Sequence, residues 1–377
     1  MRAACRALIC LLAFAALANG QTNFYIQGIE ENADGSISIT WPAVPNWTYH
    51  VMYANSPSGP WQDFSDGQLA AGTNVWTLCY TDTNSVTVSQ RFYKIRTGRP
   101  QVIMTLVLDR SGSMNPVYGT TRGGGALPGA VSTFLSYFND SYDEAAMVSF
   151  GSTATVDVPM GQPFQQAIST AASNLNWCGG TFAAGGLTNA LVQENSVIIP
   201  KGQVALKVVI FFTDGLANMI QDTLSCSPSN SWIFGGIDPP NTGVFFFNSN
   251  TPNTCSGQND GCYISDGGSA SSCGCDASQF YSNQNGVWES FTRANVTAEA
   301  QYRAIQVANQ IRSNNIWVYS IGLGGAGVDM SFLEEVANDP SSPTYNPMLP
   351  TGVAVIANDP SGLQAVFQQI ASQLLTY

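Results

Sequence analysis

The hydrophobic pattern of the chain changes near residue 100. Residues 23–97 alternate apolar and polar positions over short stretches, for example in 36–41 and 49–53, with turn-rich segments between them. This alternation is typical of antiparallel strands that bury one face. Beyond Pro100, long apolar runs alternate with stretches of helical periodicity. The pattern therefore predicts a small all-β domain followed by an α/β domain.

Two apolar runs in the second half have the length and composition of fully buried strands, 102–108 (VIMTLVL) and 204–212 (VALKVVIFF). Weaker patterns predict an edge hairpin and two later strands, over 145–150, 153–158, 316–321 and 353–356. Apolar spacing predicts helices over 127–138, 164–175, 184–195, 298–312, 329–337 and 359–375. Because strands joined by helices need right-handed crossovers, this order predicts an α/β fold with a doubly wound, mainly parallel sheet.

Oxygen-bearing side chains follow the two buried strands. Asp109, Ser111 and Ser113 come directly after the first strand, Asp214 follows the second, and Thr181 follows Gly179 and Gly180 in between. In an open α/β sheet the loops beyond the carboxyl ends of the strands form the binding crevice, so we expect these side chains to meet. Carboxylate and hydroxyl oxygens suit a hard divalent cation. Mg²⁺ is the expected ion, with Mn²⁺ and Ca²⁺ as alternatives.

The order D-x-S-x-S, then G-G-T, then T-D-G resembles the von Willebrand factor A (vWA) domain and its metal-ion-dependent adhesion site (MIDAS), over residues 100–377. The resemblance implies that Ser111, Ser113 and Thr181 are direct metal ligands, and that Asp109 and Asp214 often act through water. It also implies an open metal position that takes an acidic side chain of a protein partner. The closing segments IWVYSIGLGG, FLEEVANDP and FQQIASQL resemble bacterial vWA domains related to the TadG-like pilus-assembly proteins.

The first domain, residues 21–99, resembles a fibronectin type III-like β-sandwich, in which Trp41 would be the buried strand tryptophan and Tyr93 would lie near the last strands. Such modules usually act as spacers. His50, the only histidine, lies in a strand-like stretch and is interpreted as structural. Without a second histidine, a His-rich zinc site is excluded, as are Ser-His-Asp and Cys-His pairs unless His50 is the base.

The α/β pattern is interrupted over about 220–288, a Ser-, Asn-, Gly- and Pro-rich insertion that we expect to be an irregular loop held by disulfides. Six cysteines could form three disulfide bridges, with fifteen possible pairings. They are Cys178, Cys226, Cys255, Cys262, Cys273 and Cys275. Cys79 would be left as a lone buried thiol. The alternative is a structural zinc site at Cys273 and Cys275, but a C-x2-C spacing is missing.

Residues 1–20 are typical of a secretory signal peptide, with Arg2 and Arg6, an apolar stretch over 7–17 and small residues before Gln21. Its removal leaves 11 basic against 25 acidic residues, a net charge of −14. Such a surface repels phosphate backbones, so nucleic acid is not an expected partner. No later segment is long and apolar enough to be a predicted membrane span. The expected location is outside the cell or in the cell envelope.

These features together predict a secreted vWA protein that binds a protein partner through a divalent metal ion, in adhesion or in surface or pilus assembly. One alternative is a structural pilus-assembly subunit without adhesive activity. The other is a phosphatase-like enzyme of the haloacid-dehalogenase type with Asp109 as nucleophile. Such enzymes place a second Asp two residues later, where this chain has Ser111, so no enzymatic activity is expected.

Overall fold

The computed structural model of the protein describes residues 25–44, 47–57, 61–72, 74–87, 90–98, 100–199, 205–224, 231–237, 243–248, 262–269, 271, 277–324 and 328–375. The predicted signal peptide lies outside this part of the chain. Contacts divide the chain into two compact units with a boundary between Gln101 and Val102. In the described residues, no helix combines the length and the apolar character needed to cross a membrane.

The first unit contains six strands: β1 (Gly28–Glu31), β2 (Ile37–Pro42), β3 (Thr48–Ala54), β4 (Gln62–Ala70), β5 (Thr77–Asp82) and β6 (Phe92–Gly98). They form two antiparallel sheets of three strands, in the orders β1-β2-β5 and β4-β3-β6. Trp41 and Tyr49 are fully buried in the core, with ring centroids 5.9 Å apart. Assignment of this unit to the fibronectin type III-like class stays a prediction.

Cys79 is a free thiol, but it is exposed on β5, so its predicted burial is wrong. The side chains of β5 alternate between exposed and partly covered, and Cys79 falls on the exposed side. A lone apolar thiol gives no sign in the sequence of which face of a strand it occupies, because a one-residue shift in register exchanges the two faces.

The second unit is built on a six-stranded sheet: β7 (Gln101–Asp109), β8 (Glu144–Phe150), β9 (Ala154–Gly161), β10 (Ala205–Thr213), and the later strands β17 (Trp317–Leu323) and β18 (Ala354–Ala357). Their order is β18-β17-β10-β7-β8-β9. The pairs β7–β8, β10–β17 and β17–β18 are parallel, and the edge pair β8–β9 is antiparallel. The predicted α/β class, with a mainly parallel sheet, is confirmed.

Helices cover both faces of this sheet: α1 (Leu127–Leu135), α2 (Gln165–Ser173), α3 (Ala183–Ser196), α4 (Arg293–Ser313), α5 (Met330–Ala337) and α6 (Leu363–Leu375). Neighbouring residues of a strand point to opposite faces. On β10, Phe211 contacts Phe150 and Phe332 on one side, while Phe212 contacts Phe367 of α6 on the other. A strand buried on both faces needs a continuous apolar run, as the sequence pattern predicts.

The described part of the insertion is not an irregular loop, so that prediction is wrong. It contains a four-stranded antiparallel sheet of β11 (Met219–Thr223), β12 (Ser231–Ile237), β13 (Gly243–Asn248) and β14 (Cys262–Ser265), and a hairpin of β15 (Gln279–Ser282) and β16 (Val287–Ser290). The strands are short and lie between Ser-, Asn- and Gly-rich segments. Single buried aromatic residues such as Phe234 and Phe280, rather than long apolar runs, stabilise them.

Candidate metal centre

The candidate metal ligands lie where β7 and β10 end. These strands are neighbours in the sheet, and Asp109 and Thr213 are their last residues. The Thr213 hydroxyl donates a hydrogen bond of 2.6 Å to one oxygen of Asp109. The other oxygen of Asp109 accepts the backbone N–H of Ser111 at 2.7 Å. Asp109 is fully buried, so both of its oxygens position the strand end and the loop that follows it.

Three oxygen-bearing side chains form a hydrogen-bonded row beside this buried carboxylate. The hydroxyls of Ser111 and Ser113 are 2.9 Å apart, and the Ser113 hydroxyl donates to Asp214 Oδ1 at 2.7 Å. The second oxygen of Asp214 accepts a short hydrogen bond from the hydroxyl of Thr121. Ser113 and Asp214 are therefore in direct contact, as the sequence predicts, although they are 101 positions apart in the chain.

Thr181 is carried to the same edge by its loop. The backbone N–H of Gly112, between the two serines, donates to the carbonyl oxygen of Gly179 at 3.0 Å. Gly179 has φ of 81°, a left-handed conformation that favours glycine. The Asn218 side chain accepts the Thr181 N–H at 2.8 Å. The Thr181 side chain is almost fully buried, and its hydroxyl has no hydrogen-bond partner within the described part of the chain.

The turn between Ser111 and Ser113 does not require a glycine at position 112. Gly112 does not have a positive φ, and a Cβ atom there would meet its nearest neighbour, the carbonyl oxygen of Gly179, at an ordinary 3.5 Å. The glycine that the geometry requires is Gly119, because a Cβ there would collide with the carbonyl oxygen of Ser113.

Two buried carboxylates in one small region repel each other. Burial first, and then the charge of Asp214, raise the pKa of Asp109 above the ordinary value of an aspartate. Burial likewise raises the pKa of Asp214, although the hydroxyls of Thr121 and Ser113 act in the opposite direction. A divalent cation would add positive charge that compensates these two carboxylates.

The donor set fits a small divalent cation. In an octahedral Mg²⁺ site with metal–oxygen distances of about 2.1 Å, adjacent ligand oxygens are about 3 Å apart. The two contacts in the Ser111–Ser113–Asp214 row, at 2.9 and 2.7 Å, have this spacing. Among the described residues, no three His, Cys, Asp or Glu side chains cluster as metal ligands, so the candidate site depends on hydroxyls.

The sequence pattern did not identify two residues that position the candidate ligands through hydrogen bonds. Thr121 hydrogen-bonds Asp214, and Asn218 hydrogen-bonds the Thr181 backbone in both directions. Thr121 lies at the start of the Gly-rich stretch that follows the first metal loop, where no periodic pattern marks it. Asn218 follows the T-D-G motif by three residues. Neither position can be assigned without knowing which loops meet.

Of the six disulfide candidates, the described residues include two. Cys178 and Cys262 are each in a disulfide bond. The backbone N–H of Cys178 donates to the Arg110 carbonyl oxygen at 2.8 Å, so this cysteine lies against the metal loop. Cys226, Cys255, Cys273 and Cys275 lie outside the described residues.

A family model matches the segment of the chain that carries this site. Residues 104–216 match the model of the von Willebrand factor type A domain. The matched segment begins inside β7 and ends just after Asp214, so it contains all five candidate ligands. The fold of the second unit is that of a vWA domain.

Several solved structures are similar to the chain. The pilus adhesin SpaC from Lactobacillus rhamnosus GG is 14% identical, with a TM-score of 0.46 over 95% of this chain and 36% of its own. The vWF domain of the type V pili tip protein Mfa5 from Porphyromonas gingivalis is 15% identical, with a TM-score of 0.45 over 73% of this chain and 95% of its own. Proximal thread matrix protein 1 from the mussel byssus, with a zinc-occupied MIDAS motif, is 15% identical, with a TM-score of 0.39 over 73% of this chain and 46% of its own.

The chain spans less than half the length of SpaC and of the mussel byssus protein. No curated protein matches the chain.

Proposed function

We propose that this protein is a secreted or cell-surface vWA protein that binds a protein partner through a divalent cation, Mg²⁺ first, at Asp109, Ser111, Ser113, Thr181 and Asp214. The observation that carries the proposal is the row of oxygens from Ser111 through Ser113 to Asp214, whose spacing suits neighbouring ligands of one small ion. The match of residues 104–216 to the vWA family supports it.

Each residue has a distinct part in this proposal. Ser111, Ser113, Thr181 and Asp214 would hold the ion, and Asp109 positions Ser111 through its backbone N–H. Thr121 orients the Asp214 carboxylate. A cation held mainly by neutral hydroxyls would supply a Lewis-acidic centre for an oxygen of the partner, and an acidic side chain is the partner group that such a centre favours.

The proposal includes no enzymatic activity. A dehalogenase-type reaction would need an acid two residues after Asp109, and Ser111 occupies that position with its hydroxyl bonded to Ser113. Adhesion and a part in pilus or envelope assembly share the same metal chemistry, so both stay within the proposal. The predicted signal peptide supports a location outside the cell.

Thermal unfolding of the mature chain tests the metal site. EDTA-treated protein is melted alone and with Mg²⁺, Mn²⁺ or Ca²⁺, as wild type and as Asp109→Ala and Ser113→Ala. Ligand at 100 times its Kd stabilises a folded protein by about 2.7 kcal/mol, so we expect a rise in Tm of several degrees. Both variants should lose this rise.

Ser132→Ala is the matched control, because Ser132 is exposed on α1 and its side chain makes no hydrogen bond within the described residues. It should keep the full metal response. Equal melting of the wild type in every metal condition would contradict the site.

A further inference from the structure

One loop leaves the candidate metal site and returns to it. We call residues 115–122 the rim loop. At its start, Asn115 follows the metal loop. At its end, Thr121 donates its backbone N–H to the Ser113 carbonyl oxygen at 3.1 Å and its hydroxyl to Asp214. Within the loop, Gly119 N–H donates to the Asn115 carbonyl oxygen at 2.9 Å. The loop is therefore anchored at both ends on residues of the site.

The tip of the rim loop carries two exposed apolar side chains. Val117 and Tyr118 are each 74% exposed, although both are large apolar residues. Their backbone N–H groups donate to the Asn115 side chain at 3.0 and 3.3 Å, which fixes the tip. A single exposed apolar residue needs no explanation, but two in sequence on a fixed loop beside a binding site mark a contact surface.

The rim loop ends in a strained, exposed arginine. Arg122 has φ of 54°, a left-handed conformation that non-glycine residues rarely adopt. Within the described residues, its guanidinium has no hydrogen bond and no ion pair. The chain has only 13 Lys and Arg residues against 25 Asp and Glu, so an unpaired cation next to the site is a local exception to an acidic protein.

We infer that the rim loop selects the partner, and that the partner presents an acidic segment with an apolar side chain beside its metal-binding carboxylate. Val117 and Tyr118 would cover the apolar side chain, and Arg122 would pair with a second carboxylate of the segment. The inference rests on the proposed function, because it needs a carboxylate on the ion. It adds the sequence character of the partner, which the metal site alone does not define.

Peptide binding tests the inference. The probes are the peptide GGEFDGG, in which Phe follows the acidic residue, and two matched peptides, GGESDGG without the apolar side chain and GGEFNGG without the second carboxylate. Affinity for the mature chain is measured with Mn²⁺ and with EDTA. With metal, we expect the wild type to bind GGEFDGG about fivefold or more tightly than GGESDGG, because burying part of a Phe ring contributes at this level. We expect it to bind GGEFDGG about twofold or more tightly than GGEFNGG, because the second carboxylate adds an exposed ion pair with Arg122.

Two rim variants separate the contributions. Val117→Ser with Tyr118→Ser should bring the affinities for GGEFDGG and GGESDGG together, and Arg122→Gln should bring those for GGEFDGG and GGEFNGG together. The control is Tyr137→Ser with Val192→Ser, which removes an exposed Tyr and an exposed Val outside the rim loop and should leave every ratio unchanged. All three variants should keep the metal-induced rise in Tm.

The outcomes distinguish this inference from the proposed function. If the metal stabilises the protein but the peptides bind equally, or do not bind, or keep their ranking in the rim variants, the rim loop does not select the partner. If the metal does not stabilise the protein, the metal site fails, and the inference fails with it.

Discussion

At the scale of single residues, the buried acids of the second unit differ in how well they are compensated. Asp143 accepts two backbone N–H groups, at 2.9 and 2.7 Å, and Glu299 pairs with Arg303 and accepts three further donors. Glu194 is equally buried, but its carboxyl group accepts one hydrogen bond, from the Thr105 hydroxyl at 2.8 Å, and its Oε2 has no partner within the described residues. Burial therefore raises the pKa of Glu194 well above the ordinary value of 4.5.

Glu194→Gln should reduce the pH dependence of stability. Because the pKa of Glu194 is raised on folding, the folded state binds this proton more tightly, and stability falls as pH rises from 4.5 through the folded pKa. Each unit of difference between the folded and unfolded pKa contributes about 1.4 kcal/mol. The neutral Gln still accepts from Thr105 and should remove this decline.

The measurement is urea unfolding of wild type and variant at several pH values between 4.5 and 8.5. The free energy of unfolding of the variant should exceed that of the wild type increasingly towards high pH. Parallel curves for the two proteins would show that Glu194 does not titrate differently on folding.

At the scale of elements, the insertion has its own aromatic cluster. Phe291 lies between β16 and α4, and its ring centroid is 5.1 Å from that of Phe234, 4.9 Å from that of Phe246 and 5.6 Å from that of Phe280. All four rings are buried. The strands β12, β13 and β15 carry three of these rings, so packing on Phe291 joins the four-stranded sheet to the β15–β16 hairpin.

Phe291→Ala should destabilise the protein by about 3–5 kcal/mol, because it removes a fully buried ring at the centre of three aromatic contacts. Chemical unfolding followed by fluorescence measures the change. Val287→Ala is the control, since Val287 is 52% exposed on β16 and its loss should change stability by no more than about 0.5 kcal/mol. A cost for Phe291→Ala as small as that of the control would mean that the cluster does not stabilise the insertion.

At the scale of the whole molecule, the two units differ in whether their cysteines are free or disulfide-bonded. The sequence has 9 cysteines, of which Cys5 and Cys10 lie in the predicted signal peptide. Cys79 is free and exposed, and Cys178 and Cys262 are bonded. With the six candidates of the second half paired, the mature chain would hold a single thiol.

Thiol titration of the mature chain in denaturant, without reductant, should therefore give about one thiol per chain, and Cys79→Ser should give none, because disulfides persist in an oxidising compartment. Mass spectrometry after alkylation should place the label on Cys79. Three or more thiols in the wild type would contradict the pairing of the six cysteines.

Much of the α/β unit could be predicted from the sequence, because its strands are long apolar runs and its helices have regular spacing. The ends of elements were less accurate: α1 ends at Leu135 rather than at residue 138, and α4 begins five residues before the predicted start, where Thr292 caps it. The insertion was not predictable, because its strands are short and its stability comes from contacts among aromatic residues up to 57 positions apart.

By itself, the sequence determined the order of strands and helices in the α/β unit outside the insertion, and which side chains could supply oxygens to an ion. Both depend on local pattern and on residue type. Only the tertiary structure decided that Ser113 and Asp214 touch, that Thr121 and Asn218 hold the ligand loops, that Cys79 is exposed, and that the rim loop presents Val117, Tyr118 and Arg122. Contacts between residues far apart in the chain depend on how the loops meet after the sheet has formed. No local pattern specifies that.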